Sequence, residues 1–244
     1  YPAAKVKVPA DVYPPRKGKP EYSRNKEQWV EGPNDLPVLK AGRFAGRTVT
    51  GKFIHGTDIH SLERQYNQGV LAIDEGVGKL IKALKETGQY DNTLIVFGAD
   101  QGIAWGQKGF QMKLAPYDGT IRGPLIVSMP KKLPSGKVCP KPVGGADLVP
   151  TFFSTAGLKL PWKMHGRDLT PLLEQPERKD WKTPLLLAHT GMSFGEDCDE
   201  VIDMKDDPIY QKQRVPWWVS LRTDRYKYIR NLLPGETEEL YDMK

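Results

Sequence analysis

Long apolar runs are missing from this sequence of 244 residues, and cysteines are scarce. No stretch approaches the ~20 apolar residues that a membrane-spanning helix needs, and residues 1–20 lack the apolar centre of a signal peptide. We therefore expect no membrane span, which leaves either a cytosolic chain or a targeting segment outside it. The two cysteines, Cys139 and Cys198, have no metal-binding spacing, so one disulfide or two thiols are equally allowed.

A basic surface is also missing from most of the chain. The net charge is +6, but residues 1–60 hold 11 Lys/Arg against 6 Asp/Glu, whereas the remaining residues hold 25 against 24. A nucleic-acid-binding domain would carry its positive charges on one folded face. The excess belongs instead to the N-terminal segment, so we expect no nucleic-acid partner.

That N-terminal segment has the composition of an arm. Residues 1–58 contain seven of the 21 prolines and show no apolar periodicity. We predict that residues 1–60 form an extended Pro/Lys-rich arm that wraps a larger body.

From Ser61 onward the apolar pattern is that of an α/β domain. A helix is predicted from Ser61 as N-cap to Gly88, because apolar residues recur there at helical spacing. Two short apolar segments, 93–98 and 124–130, predict strands covered on both faces of a sheet. A second helix is predicted within 145–157, with Asp147 as its cap.

The last third of the chain changes in texture. Short candidate strands alternate with charged turns at 184–190, 217–223, 226–231 and 238–242. This spacing predicts a small antiparallel sheet. Trp217 and Trp218 begin the second of these segments, and their side chains should point to opposite faces of the strand. One is therefore expected in the core and the other against a sugar or a neighbouring loop.

Polar residues with possible chemistry follow the first strand of the α/β region. Asp100 and Gln101 stand where ligands gather in an open α/β sheet, at the carboxyl end of a strand. Their two oxygen donors suit Ca²⁺ or Mg²⁺ better than Zn²⁺, and Gly102 lets the backbone turn away. Lys113, on a glycine-rich loop, could hold an anion beside such a metal. The alternative is a strand end closed by an Asx-type turn, with Lys113 solvated.

The order of motifs around this strand closely resembles the second half of the sulfatase family. The shared series is Asp-Gln-Gly after an apolar strand, a loop with Lys113, then Tyr117-Asp118, Arg122 and Pro124 before a strand. Further similar segments are "YNQGVLAIDEGVGKLIKAL" before it and "ADLVPTFFSTAGLKLP" and "SLRTDRYKYIRNLLPGETEELYDMK" after it. The resemblance covers about residues 61–244.

The resemblance implies a fold and its division into parts. It implies an alkaline-phosphatase-like α/β sandwich, of which residues 61–175 would form the C-terminal part of the catalytic domain. Residues 176–244 would form a small, incomplete antiparallel β-sheet subdomain. The implied activity is hydrolysis of a sulfate ester, with a sulfated small molecule or carbohydrate as substrate and a periplasmic, secreted or lysosomal location.

The resemblance also implies roles for individual residues. Asp100 and Gln101 would be ligands of a bound Ca²⁺, with Mg²⁺ as the less favoured metal. Lys113 would contact the sulfate and the leaving-group oxygen, and His189 would contact the substrate. Arg122 is expected to be a structural ion-pair partner. Gln101 departs from the His or Asn that many members carry, but it keeps the oxygen donor of Asn.

One family motif is missing from these 244 residues. Sulfatases supply their nucleophile, a formylglycine, from Cys/Ser-x-Pro-x-Arg, and no such motif occurs here. We therefore expect a chain that is partial at both ends and whose partner is the N-terminal half of the same protein. By itself it should not hydrolyse sulfate esters. The alternatives are a phosphodiesterase or phosphonate monoester hydrolase of the same superfamily, or a non-catalytic anion-binding relative.

Overall fold

The computed structural model describes residues 7–40, 48–49, 52–53, 58–200 and 206–244, and it has mixed α/β structure. The helices are α1 (Glu21–Arg24), α2 (Ile59–Glu86), α3 (Asp118–Ile121), α4 (Leu148–Thr155), α5 (Thr170–Glu174), α6 (Asp197–Glu200) and α7 (Pro208–Gln213). The strands are β1 (Trp29–Glu31), β2 (Pro37–Leu39), β3 (Thr48–Val49), β4 (Lys52–Phe53), β5 (Ile95–Gly98), β6 (Ala104–Trp105), β7 (Gln111–Met112), β8 (Leu125–Ser128), β9 (Leu185–His189), β10 (Trp218–Arg222), β11 (Tyr226–Asn231) and β12 (Glu239–Asp242).

Helix α2 begins earlier than predicted. Its N-cap is Asp58, whose carboxylate accepts the backbone N–H of Ser61 at 3.0 Å and the Ser61 hydroxyl at 2.8 Å. The prediction of Ser61 as N-cap is wrong because Ser61 is the donor in the first turn, not the acceptor. The predicted end is confirmed: Gly88 follows the helix with φ +70°, a conformation that favours glycine.

Strands β5 and β8 are present within both predicted segments and pair with each other. The pairing is antiparallel, with Ile95 opposite Ser128 and Gly98 opposite Leu125. Both faces of these strands were predicted to be buried. The described part of the chain does not bury them, since Ile126 is 61% exposed.

Helix α4 also lies within its predicted segment and is followed by Gly157 at φ +67°. Asp147 is the N-cap residue of α4, as predicted, but its side chain makes no capping bond to the helix. The buried carboxylate instead accepts the backbone N–H of Gly144 at 2.9 Å and pairs with the Arg167 guanidinium at 2.7 Å. A charged donor offers the carboxylate a stronger bond than a neutral backbone amide does.

All four strands predicted in the last third of the chain are present. They form one antiparallel sheet in the order β12-β11-β10-β9. Because side chains alternate along a strand, one face of this sheet is buried, and we call it the inner face. Its buried residues are Trp218, Ser220, Lys227, Ile229, Asn231 and Glu239.

Two buried clusters connect distant parts of the chain. The first joins the segment 104–117 to the inner face through contacts that include Phe110, Tyr117 and Trp218. The second joins the N-terminal segment to the start of α2, with Trp29 and Ile59 fully buried. The N-terminal segment therefore packs on the body of the protein with its own apolar residues.

The cysteine alternatives are resolved in favour of two free thiols, one exposed at Cys139 and one half-buried at Cys198. Among the described residues, no helix combines the length and the apolar character needed to cross a bilayer.

Candidate functional site

The end of β5 carries the predicted polar pair. Asp100 lies two residues beyond the strand with its side chain 74% exposed, and Gln101 is half-buried. A Cβ added to Gly102 would lie 2.7 Å from the Gly119 carbonyl oxygen and 2.8 Å from that of Arg122. Glycine is needed here because the backbone after the site passes directly against another backbone segment.

Lys113 reaches back to this strand end. Its ammonium nitrogen lies 3.1 Å from Oδ1 and 2.8 Å from Oδ2 of Asp100, so it bridges both carboxylate oxygens. The hydrogen bond from Lys113 lowers the pKa of Asp100 below its ordinary value. Lys113 is therefore not merely solvated. It forms a charge pair with Asp100, which lies 13 positions earlier in the chain.

The residues after Lys113 are held from two sides. Leu114 has a φ of +84°, and its carbonyl accepts the indole N–H of Trp218 at 2.8 Å. The Thr120 hydroxyl donates to the carbonyls of Ala115 and Tyr117, the latter at 2.8 Å. We call residues 113–118 the lysine loop.

Tyr117 anchors the far end of the lysine loop to the inner face. Its hydroxyl donates to Glu239 at 3.0 Å, and Lys19 lies 2.9 Å from the other oxygen of the same carboxylate. Burial raises the pKa of the Tyr117 phenol, so this hydroxyl stays protonated and acts as a donor. Glu239 was not among the residues predicted for this region.

A second anchor joins Asp118 to Lys227, with 2.7 Å between carboxylate and ammonium. Lys227 is 2% exposed. Burial lowers the pKa of Lys227, although the hydrogen bond to Asp118 opposes that effect. The alternation of side chains along β10 to β12 could have predicted both anchors, because it places Lys227 and Glu239 on the same face as Trp218.

His189 ends β9 directly opposite Trp218. The two rings have centroids 6.0 Å apart at a tilt of 35°. Nε2 of His189 is buried, and no hydrogen-bond partner for it exists among the described residues. Burial lowers the pKa of His189, against an opposing effect of Asp207, so the ring is neutral at pH 7. Trp218 thus contacts both His189 and the lysine loop.

Two other expectations have mixed outcomes. The Arg122 side chain is exposed and forms no ion pair with a described residue, so the ion pair stays a prediction. Its backbone carbonyl, not its guanidinium, contributes to the site by packing against Gly102. Both tryptophans are buried, and Trp217 faces a neighbouring segment, where its indole N–H donates to Asp207 at 3.1 Å.

The donor set at the strand end agrees with a hard cation in kind but not in number. A carboxylate and an amide oxygen on consecutive residues are the ligand types that Ca²⁺ prefers, yet Ca²⁺ takes six to eight oxygens. Among the described residues, no group of three or more His, Cys, Asp or Glu side chains could hold a metal ion. The two oxygen donors of Asp100 and Gln101 are therefore fewer than a calcium site requires.

A model of the Sulfatase family matches residues 9–158, more than half of the chain. The chain belongs to the sulfatase family. The resemblance noted in the sequence is thereby confirmed, and with it membership of the alkaline-phosphatase-like superfamily. Sulfatases are sulfuric ester hydrolases, so this is a family of enzymes.

Relatives agree with this assignment. An N-acetylglucosamine-6-O-sulfatase from Bacteroides thetaiotaomicron is 34% identical over 184 residues, which make up 66% of this chain and 33% of that protein. A structure solved in complex with its substrate, D-glucosamine-2-N,6-O-disulfate, superimposes with a TM-score of 0.66 over 98% of this chain and 53% of its own. Its identity is 22%, so it supports the fold alone.

A phosphonate monoester hydrolase from Silicibacter pomeroyi is also similar. It has a TM-score of 0.63 and 26% identity, and the superposition covers 80% of this chain and 39% of the hydrolase chain. The chain spans about a third of the length of the curated relatives it matches.

Proposed function

We propose that this chain is the metal- and sulfate-binding part of a sulfatase that hydrolyses a sulfate ester. The observation that carries the proposal is the charge pair between Asp100 and Lys113 at the end of β5, next to Gln101. It joins a metal-ligand type and an anion-binding group at one strand end, in a chain of the sulfatase family.

Asp100 and Gln101 would hold the Ca²⁺. When bound, Ca²⁺ offsets negative charge on sulfate oxygens. Lys113 would provide the second positive charge. Because its ammonium group reaches the Asp100 carboxylate, it can also reach an anion bound beside that carboxylate, and there it would stabilise charge on the leaving oxygen.

The nucleophile would come from outside these 244 residues, since the sequence contains no Cys/Ser-x-Pro-x-Arg motif. Formylglycine supplies a hydrated aldehyde as the attacking group in the family that the chain resembles. We therefore propose that the partner of this chain is the N-terminal half of the same protein, and that the chain alone is inactive.

The exposed apolar side of α2 supports such a partner. Ile73 is 50% exposed and Leu80 is 68% exposed on a helix that otherwise follows an amphipathic pattern. A Cβ at Gly69 or Gly76 would have no neighbour within 4 Å among the described residues. Glycine within a helix costs about 1 kcal/mol relative to alanine, which is consistent with a close-packed element beside this helix in the whole protein.

His189 is proposed as a substrate contact. Its neutral ring can either donate or accept a hydrogen bond, and Trp218 connects its strand to the lysine loop. The substrate class we propose is a sulfated carbohydrate or small molecule, in line with the N-acetylglucosamine-6-O-sulfatase among the relatives. By family resemblance, the location we propose is periplasmic, secreted or lysosomal.

A second candidate is a phosphonate monoester hydrolase or phosphodiesterase. The similarity to the phosphonate monoester hydrolase favours it. Gln101 favours the sulfatase, because the phosphorus-cleaving relatives usually carry His after the Asp. A non-catalytic anion-binding relative is a third candidate.

The deciding experiment measures the full-length protein on matched aryl sulfate, phosphonate monoester and phosphodiester substrates, before and after calcium chelation. We expect the sulfate to give the highest kcat/KM, with activity lost on chelation and restored by added Ca²⁺. A higher kcat/KM for either phosphorus ester would favour the second candidate. Absence of turnover on all three, with sulfate binding retained, would favour the non-catalytic one.

A further inference from the structure

The backbone immediately after Lys113 is in an unfavourable conformation. Leu114 has a φ of +84°, a region that bulky side chains rarely adopt. Such conformations persist only where surrounding contacts enforce them, and they are common beside functional groups. Lys113, which pairs with Asp100, is therefore followed directly by a strained backbone position.

Two kinds of contact enforce this conformation. The indole N–H of Trp218 donates to the Leu114 carbonyl oxygen at 2.8 Å, and Trp218 is 4% exposed. The following residues, Ala115 and Pro116, are fully buried. On the other side of Lys113, the amide of Gln111 is bonded to a side-chain oxygen at 2.9 Å. The backbone of the lysine is thus held on both sides.

Burial alone does not explain why this residue is a tryptophan. A phenylalanine ring would also fill an apolar site, but it has no N–H to hold the Leu114 carbonyl. The bond joins residues 104 positions apart, from the C-terminal sheet to the lysine loop.

We propose that Trp218 is a positioning residue for Lys113: its indole N–H holds the Leu114 carbonyl, and this keeps the Lys113 ammonium directed at Asp100. The catalytic consequence rests on the proposed role of Lys113. The structural consequence, a fixed lysine loop, does not depend on what reaction the protein catalyses.

The test compares Trp218→Phe with Trp217→Phe in the full-length protein. Trp217 is the matched control, because it is the adjacent buried tryptophan and its N–H bonds to Asp207 instead. Hydrogen exchange of the backbone amides at 113–115 and 117 should become faster in Trp218→Phe and remain unchanged in Trp217→Phe. Unchanged exchange in both variants would overturn the proposal.

Activity then tests whether the effect passes through Lys113. Trp218→Phe should lower kcat/KM for a sulfate ester of a poor leaving alcohol by roughly 10- to 10²-fold, and less for an activated aryl sulfate. In a Lys113→Ala background it should have almost no further effect. An equal loss in both backgrounds would mean that Trp218 supports the core and not Lys113.

These outcomes separate the two proposals. Faster loop exchange in a protein whose Lys113→Ala variant keeps full activity would uphold the fixed loop and overturn the role of Lys113 in the proposed function. If Trp218→Phe does not fold, benzothienylalanine at position 218 keeps the bicyclic ring and removes only the N–H. The same two measurements then apply to that protein.

Discussion

The lysine loop and helix α2 bury their side chains to very different extents. The loop is held against the inner face of the C-terminal sheet, where Tyr117 and Trp218 are 6% and 4% exposed. Helix α2 is buried mainly at its first turn, and Leu80 near its other end is 68% exposed. The buried side chains of the lysine loop are covered by residues of this chain. Helix α2, in contrast, has an apolar surface that the described residues leave uncovered. The difference indicates that the lysine loop is assembled by the C-terminal sheet, and we propose that α2 belongs to a larger core in the whole protein.

The largest effect that we expect is on catalysis at the loop. Lys113→Ala in the full-length enzyme should lower kcat/KM for sulfate esters by roughly 10² to 10³. The loss should be greater for poor leaving alcohols than for activated aryl sulfates, because the latter need less stabilisation of the leaving oxygen. Steady-state kinetics on both substrates measures this.

Lys108→Ala is the matched control. Lys108 precedes the lysine loop, is 31% exposed against 32% for Lys113, and also pairs with an aspartate, Asp11, at 3.1 Å. It should retain nearly full activity. Wild-type rates for Lys113→Ala on both substrates would leave the lysine loop without a catalytic role. The loop and α2 would then differ only in burial.

The second prediction concerns α2. Leu80→Ala should change the unfolding free energy of the 244-residue chain by less than about 0.5 kcal/mol, because the side chain is already exposed. The same change in the full-length protein should cost about 2–4 kcal/mol if an N-terminal segment covers the helix. Denaturant unfolding of both proteins measures the two values.

Leu62→Ala provides the contrast on the same helix. Leu62 is 7% exposed and packs in the cluster of the N-terminal segment, so its loss should destabilise both proteins. If Leu80→Ala is equally mild in both, then α2 has no such partner and the exposed surface is simply solvated.

A third prediction tests the buried anchor of the loop. Glu239→Gln should lower the unfolding free energy by about 1–3 kcal/mol, since Glu239 is 7% exposed and its charge is paired with Lys19. Glu238→Gln is the control. Glu238 is exposed and its ion pair with Arg230 is open to solvent, so a change under about 0.5 kcal/mol is expected. Equal values for both variants would contradict the contrast between buried and exposed pairs.

The smallest effect should be a pH dependence at Asp147, outside both regions. Burial alone would raise the pKa of Asp147, but hydrogen bonds from Arg167 and from the backbone of Gly144 outweigh it and bring the pKa below 3.8. A folded-state pKa below the unfolded value stabilises the fold above pH ~3.8, and this contribution disappears as the pH falls through the folded-state pKa.

The measurement is the difference in unfolding free energy between the wild type and Asp147→Asn from pH 6 to pH 2. The pH-dependent part should be on the order of 1 kcal/mol. Asp91→Asn, at an exposed carboxylate, is the control. A difference that does not shrink on acidification would contradict the assigned pKa direction.

Periodicity predicted the regular elements well, and their caps poorly. The helix from Leu62 and the four C-terminal strands could be identified because apolar spacing alone distinguishes a period of 3.6 from one of 2. The cap at Ser61 was mistaken because several polar residues near a helix start can accept a hydrogen bond. Where such a side chain forms its bonds is decided by tertiary packing: Asp147 is the N-cap residue of α4, but its carboxylate pairs with Arg167.

The site divides in a similar way. By itself, the sequence identified the strand end with Asp100 and Gln101, the loop with Lys113, and the family, because these depend on local order and spacing. Only the tertiary structure decided that Lys113 bonds to Asp100 and that Trp218 bonds to the Leu114 carbonyl. Such contacts join residues far apart in the chain, and their existence depends on how the C-terminal sheet packs against the loop, which no local pattern specifies.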